Sequence, residues 1–172
     1  MNESKLDVKK RAVIEIAENL FLSQGLATTE MKEIARCASI SRSTLYRMFD
    51  SRETLAFAVA DKCLHELFDP KPMEIYGTDR SGFEILRSYS SNLIETMIQG
   101  VRYVKYLSEF DQMFSGDYPD TPEARKYVQF NRQRHDRQIL LNILRLGTED
   151  GSIRGDIDAN MPVSYTHLRA HE

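Results

Sequence analysis

Arg42, Ser43, Thr44, Tyr46 and Arg47 crowd into a stretch that begins at Ser39 and reads SISRSTLYRMFDSRETL, with Arg52 close behind. Guanidinium, hydroxyl and phenol groups at this density suit phosphate oxygens and base edges in a nucleic-acid groove. Arg42, near a helix N-terminus where base edges are reached first, can donate two parallel hydrogen bonds to guanine O6 and N7. Tyr46 and Arg47, one turn later, are placed for backbone phosphates. Arg52 at the start of the following helix, with Thr29 and Lys32 at the start of the preceding one, would clamp flanking phosphates, because helix N-termini favour anions. Bond-making chemistry has no comparable signature: no nucleophile, base and orienter stand together, and the four histidines are scattered.

The elements that must position these side chains are helical. Apolar Val13, Ile14, Ala17, Leu20 and Phe21 recur at helical spacing between Asp7 and Gln24, and Gly25 supplies a left-handed stop. Thr28 and Thr29 are expected to cap a second helix reaching Cys37 and burying Met31, Ile34, Ala35 and Ala38. A connector of Ser39 and Ile40 leads to Ser41, the expected cap of a third helix in which Leu45 and Phe49 face inward and Arg42, Ser43 and Arg47 outward, with Thr44 and Tyr46 at the edge. Two short helices joined so tightly form a helix-turn-helix. Ser51 then caps helix 4, with Leu55, Ala58, Val59, Cys63, Leu64, Leu67 and Phe68 as its apolar positions.

DPKPMEIYGTD reads as the linker to a second helical set. Helix 5 is expected over 81–99, with Phe83, Leu86, Tyr89, Leu93, Met97 and Ile98 apolar; helix 6 over 101–114; and one long helix 7 over 121–146. No stretch alternates like a strand, so the fold class is all-α. Aromatic and apolar Tyr89, Tyr103, Tyr106, Phe110, Met113, Tyr127 and Phe130 are the candidate lining of an effector pocket between helices 5, 6 and 7; ordinary core is the competing use of the same residues. Arg132, Arg134, His135, Asp136 and Arg137 read as the wet side of helix 7 rather than as an acid-binding cluster. The stretch PVSYTHLRAHE changes register, and 163–172 reads as a non-native tail.

Bulk properties set bounds. Of 172 residues, 41 % are hydrophobic and 28 % charged, enough for a packed core. The net charge is −3, yet the residues through Arg52 sum to +2, nine Lys/Arg against seven Asp/Glu, and those beyond to −5, fourteen against nineteen. The basic excess therefore sits with the arginine-rich helix. Cys37 and Cys63 have no paired spacing and no histidine pattern, so neither a disulfide framework nor a metal site is suggested, and no cofactor is implied. The longest apolar run, LAFAVA, is too short to span a bilayer; the expectation is a cytoplasmic protein that is not an enzyme.

Taken together, Ala17, Leu20, Phe21 and Gly25, the run Thr29-Glu30-Met31-Lys32-Glu33-Ile34-Ala35, the turn Ala38-Ser39-Ile40-Ser41, Thr44-Leu45-Tyr46 and Phe49-Asp50-Ser51-Arg52-Glu53 make the chain resemble the TetR family of transcriptional regulators over about residues 8–68. The resemblance implies a helix-turn-helix domain over 1–52, a linking helix 4 over 53–68, and a helical ligand-binding and dimerisation domain over 69–162. That last domain is incomplete beside the family's two further helices. The family's base and phosphate contacts fall on Arg42, Ser43, Thr44, Tyr46, Arg47 and Arg52, with Thr29 as the helix 2 cap. Implied partners are a double-stranded operator and a small-molecule effector, and the full-length protein is expected to be a homodimer, with dimerisation of a chain ending here in question. The implied function is a repressor released by its effector; a protein-binding adaptor or a non-functional fragment with a degenerate helix-turn-helix is the alternative. Ser39 departs from the family's turn glycine and would hold a left-handed backbone at a cost.

Overall fold

The computed structural model describes residues 5–68, 79–114, 118–133 and 136–156, and side chains within these except at 133–137. Every regular element among them is a helix: α1 (Lys5–Gln24), α2 (Met31–Cys37), α3 (Arg42–Met48), α4 (Arg52–Phe68), α5 (Gly82–Gln99), α6 (Val101–Met113), α7 (Pro122–Gln133) and α8 (Asp136–Glu149). The all-α expectation is met, and the first six helices begin and end within two residues of their expected bounds. The single helix expected over 121–146 is instead described as α7 and α8, with Arg134 and His135 between them outside the described residues. The expected linker over 69–79, except for Asp79, and the tail over 163–172 also lie outside them.

The chain forms two compact units, Met1–Pro70 with Glu95–Arg134, and Lys71–Ile94 with His135–Glu172. In the first, α4 is the central rod, packed against α1, α6 and α7, while α2 packs on both α1 and α3. Every residue of α4 from Thr54 to Ala60 is buried, so this helix has no wet face over two turns. Phe57, fully enclosed, meets the rings of Phe110, Phe114, Tyr118 and Tyr127 at centroid distances of 4.8–5.7 Å. Such aromatic packing adds to the area term that makes burial favourable.

Two polar ties cross this core. Glu18 of α1, 6 % exposed, is ion-paired and hydrogen-bonded to Lys62 of α4. The Tyr106 hydroxyl of α6 donates to the Ala56 carbonyl of α4 at 2.9 Å, and burial raises its pKa far above the ordinary phenol value. Burial likewise pushes the Cys63 thiol up to about 12, the mark of an inert, packed cysteine.

In the second unit, α5 starts with a capping box: Ser81 Oγ accepts from the Glu84 amide while Glu84 Oε2 accepts from the Ser81 amide. The turn after α8 completes the start of α5. Asp150 accepts from Gly82 N at 2.6 Å and Ser152 from Phe83 N at 3.0 Å. A Cβ on Gly82 would lie 2.2 Å from Gly147 N, so that position excludes a side chain, and one on Gly147 would lie 2.4 Å from Cδ1 of Ile153. The apolar face expected for α5 is only partly right. Phe83 and Ile98 are exposed, while Ile85, absent from that face, is buried.

Candidate nucleic-acid interface

The turn between α2 and α3 is built by the sequence itself. Ser39 takes φ +54, while Ile40 N donates to the Ala35 carbonyl and Ser39 N to that of Arg36, the paired bonds that close a helix with a left-handed residue. A serine there carries the steric cost that glycine avoids. Ile40, the next residue, packs against the core and fixes the exit direction of the chain. Ser41 caps α3, accepting from Thr44 N at 3.1 Å, and its hydroxyl also meets those of Ser43 and Thr44. Ser51 caps α4 in the same way through Thr54 N.

These caps orient α3 so that Leu45, Met48 and Phe49 are buried while Arg42, Ser43, Tyr46 and Arg47 are exposed, with Thr44 half-buried at the edge. Neither Arg42 nor Arg47 has an ion-pair partner among the described residues, so both guanidinium groups are available to an outside anion. Tyr46 is 47 % exposed, its ring free to lie along a surface. Phe49 anchors the far end of α3: the Lys10 ammonium of α1 sits 5.4 Å from its ring centroid and 3.7 Å from Glu123 of α7. One lysine thus links the reading helix to a helix far along the chain.

Two expectations at the flanks need correction or refinement. Thr29 is fully buried, and its hydroxyl donates to the Gly25 carbonyl at 2.8 Å, so it satisfies the end of α1 instead of capping α2, and no phosphate can reach it. Glu30 occupies the cap position of α2 without a side-chain bond to a helix amide. Lys32 is exposed but pairs with Glu30 at 2.7 Å, which holds the Glu30 carboxyl below its usual range. Arg52 spends one nitrogen on the Ala27 carbonyl at 3.2 Å and lies 3.9 Å from Glu53, leaving part of its guanidinium exposed.

Sequence reasoning missed the residue on the other side of that same peptide. Glu109 of α6 accepts from Ala27 N at 3.1 Å, so the turn entering α2 is gripped by Arg52 through its carbonyl and by Glu109 through its amide. A contact spanning 82 residues leaves no local pattern to find.

Of the seven residues expected to line an effector pocket, the structure places three in the packed core of the first unit. Tyr106, Phe110 and Tyr127 pack with Phe57 as core, and the Tyr127 hydroxyl meets Asp111 at 3.3 Å. Phe130 stacks on His65, Tyr103 bonds to Arg102, Met113 is exposed, and Tyr89 belongs to the other compact unit. A groove that the structure does show lies along α7 and is lined by none of the seven.

A tri-helical unit with a capped reading helix, an outward guanidinium and hydroxyl face, and a buried fourth helix behind it defines a helix-turn-helix regulator. Residues 13–59 match the family model described as bacterial regulatory proteins, tetR family. The HTH-type transcriptional repressor KstR2 of Rhodococcus jostii (strain RHA1) is 27 % identical over 161 residues, 91 % of this chain and 74 % of that protein. Among solved structures, the TetR-family regulator PfmR from Thermus thermophilus superposes with a TM-score of 0.61 at 21 % identity, covering 86 % of this chain and 75 % of that one. The ketosteroid transcriptional regulator KstR2 of Mycobacterium tuberculosis gives 0.53 at 19 % identity, covering all of this chain and 85 % of that one. Over residues 13–59 the chain thus carries the DNA-binding region described for the tetR family, and over most of its length it is similar to repressors and regulators of that kind.

Proposed function

We propose that this protein is a repressor that binds a double-stranded operator through α3 and is released from it by a small-molecule effector. The observation that carries the reading is the α3 face itself, where Arg42, Ser43, Tyr46 and Arg47 point outward from a helix pinned by Leu45, Met48 and Phe49. Arg42 reads a base; Arg47 and Tyr46 hold phosphates, and Lys32 and the exposed part of Arg52 add flanking charge. Two copies of the protein would present two such faces to successive half-sites. The working compartment is the cytoplasm, where the operator is. Among the described residues no helix is long and apolar enough to cross a membrane.

The relatives named as repressors support that sign of regulation, and the relative named for ketosteroids makes apolar ring compounds the first effector panel. The test is selection of bound fragments from the source genome, followed by gel shift of the recovered site with and without that panel. Recovery of a palindromic site whose complex falls apart with Arg42→Ala is the expected result. Failure to enrich any site at low salt would end the reading.

A further inference from the structure

A groove of about 450 Å³ runs along the outer face of α7 in the first compact unit. Ala124 and Val128 form its floor, Tyr118 and Pro119 close one end, and Arg125 and Arg132 flank it. Positions 124, 128 and 132 are four apart and so lie on one side of the helix. The volume falls within the range of small-molecule sites.

Its two ends differ in chemistry. Tyr118 is 42 % exposed, although its ring is held edge-on against buried Phe57 at 5.2 Å and against Tyr127 at 6.0 Å. The core thus fixes an aromatic surface that stays open to an incoming apolar group. Arg125 is occupied by Asp120 at 2.7 Å, and that contact lowers the Asp120 carboxyl. Arg132 has no ion-pair or hydrogen-bond partner among the described residues. The groove therefore carries one committed and one uncommitted guanidinium against a single carboxylate. Arg132 stands eight residues beyond Ala124, about 12 Å along the helix axis.

We propose that this groove binds a small amphipathic carboxylate, with its head on Arg132 and its apolar body laid over the half-buried Val128 toward the Tyr118 ring. The guanidinium fork matches a carboxylate with two parallel bonds, which a hydroxyl cannot supply and an ammonium opposes. Nothing in this assignment depends on DNA binding, so it stands or falls separately from the repressor reading.

Isothermal titration of the whole 172-residue chain with three compounds sharing one tail, decanoate, decanol and decylammonium, below their aggregation limits, tests it. Decanoate should bind one per chain about tenfold tighter than decanol, as expected for a charge-assisted pair, with decylammonium weakest. Arg132→Gln, an exposed change that leaves the fold alone, should bring decanoate down to the decanol level without moving decanol, and Arg132→Lys should recover part of the difference. No decanoate binding, equal binding of the three compounds, or a decanoate affinity indifferent to Arg132→Gln would overturn the proposal.

Discussion

Removing the Glu109 carboxylate should weaken DNA binding even though Glu109 is negative and sits on a helix outside the reading unit. Its Oε1 accepts from Ala27 N at 3.1 Å, while Arg52 donates to the carbonyl of the same residue at 3.2 Å. Hydrogen bonds to charged groups contribute about 1.5–3 kcal/mol, and ordinary ones about 1. Ala27 is exposed, so water replaces part of the lost bond in Glu109→Ala, and a loss of about 1 kcal/mol follows from the low end of that range. At about 1.4 kcal/mol per factor of ten, the open form of the α1–α2 turn becomes about fivefold more populated.

Hydrogen exchange at Ala27 and the first amides of α2 reads that opening directly, and gel shift on the selected operator reads its effect on α3, which packs on α2. Operator affinity should drop by at most about fivefold, and by less the smaller the open share, because apparent affinity scales with the closed fraction. Bulk electrostatics predict the opposite sign, because deleting a negative charge strengthens attraction to phosphates. Glu109→Gln separates the two: it deletes the charge but keeps an acceptor oxygen, and should restore most of the affinity. An operator affinity for Glu109→Ala equal to or above that of the parent, with unchanged exchange at Ala27, would refute the reasoning.

Other changes probe the reading face and the core. Arg42→Ala should cost about 1–3 kcal/mol on the operator and relax preference at one base pair, whereas Arg47→Ala should weaken matched and scrambled sites alike and reduce the salt slope by about one; equal losses on both sites for Arg42→Ala would remove its base-reading role. Ser39→Gly should stabilise the fold by about 0.5 kcal/mol, read as a raised urea midpoint at constant slope, since φ +54 costs an L-residue more than glycine loses in chain entropy. A lowered midpoint would show that the serine is not strained there. Asp61, whose Oδ1 is buried without a hydrogen bond, has its pKa raised by burial, against the opposing pull of His65 and Lys126. A carboxyl with a raised folded pKa destabilises the fold as pH climbs past its unfolded value and not below it, so Asp61→Asn should stabilise the fold at pH 7. That gain should vanish near pH 3; a gain that persists there would mean that charge burial is not its source.

The reading face was legible because each step that orients it is local. Gly25 and Ser39 carry the positive φ that ends a helix, and Ser41 and Ser51 cap the next helix within three residues. With those ends set, the four-residue spacing of Leu45 and Phe49 leaves Arg42, Ser43 and Arg47 no direction but outward. On α4 periodicity found the helix but missed part of its buried set, for the opposite reason. It detects a helix by the contrast between a dry and a wet side, and α4 has no wet side between Thr54 and Ala60, so Phe57, the centre of the aromatic cluster, stood off the expected stripe. The same limit hid a packing role: Tyr106, Phe110 and Tyr127 have the composition of a pocket wall, and the structure packs them with Phe57 in the core.

Glu109 and the Glu18–Lys62 pair join positions 82 and 44 residues apart, and no window of sequence contains both partners. Residues that meet an outside molecule are thus readable where caps and turns aim them, while residues that hold those caps in place from across the chain are found only in three dimensions. In this protein the second group converges on one peptide, Ala27, and on one lysine, Lys10, which reaches Phe49 at the end of α3 and Glu123 at the start of α7. Substitutions at Glu109 and Lys10 should therefore alter DNA reading without altering any group that touches DNA, and the two effects should combine more than additively, since both act on the placement of the same short helix.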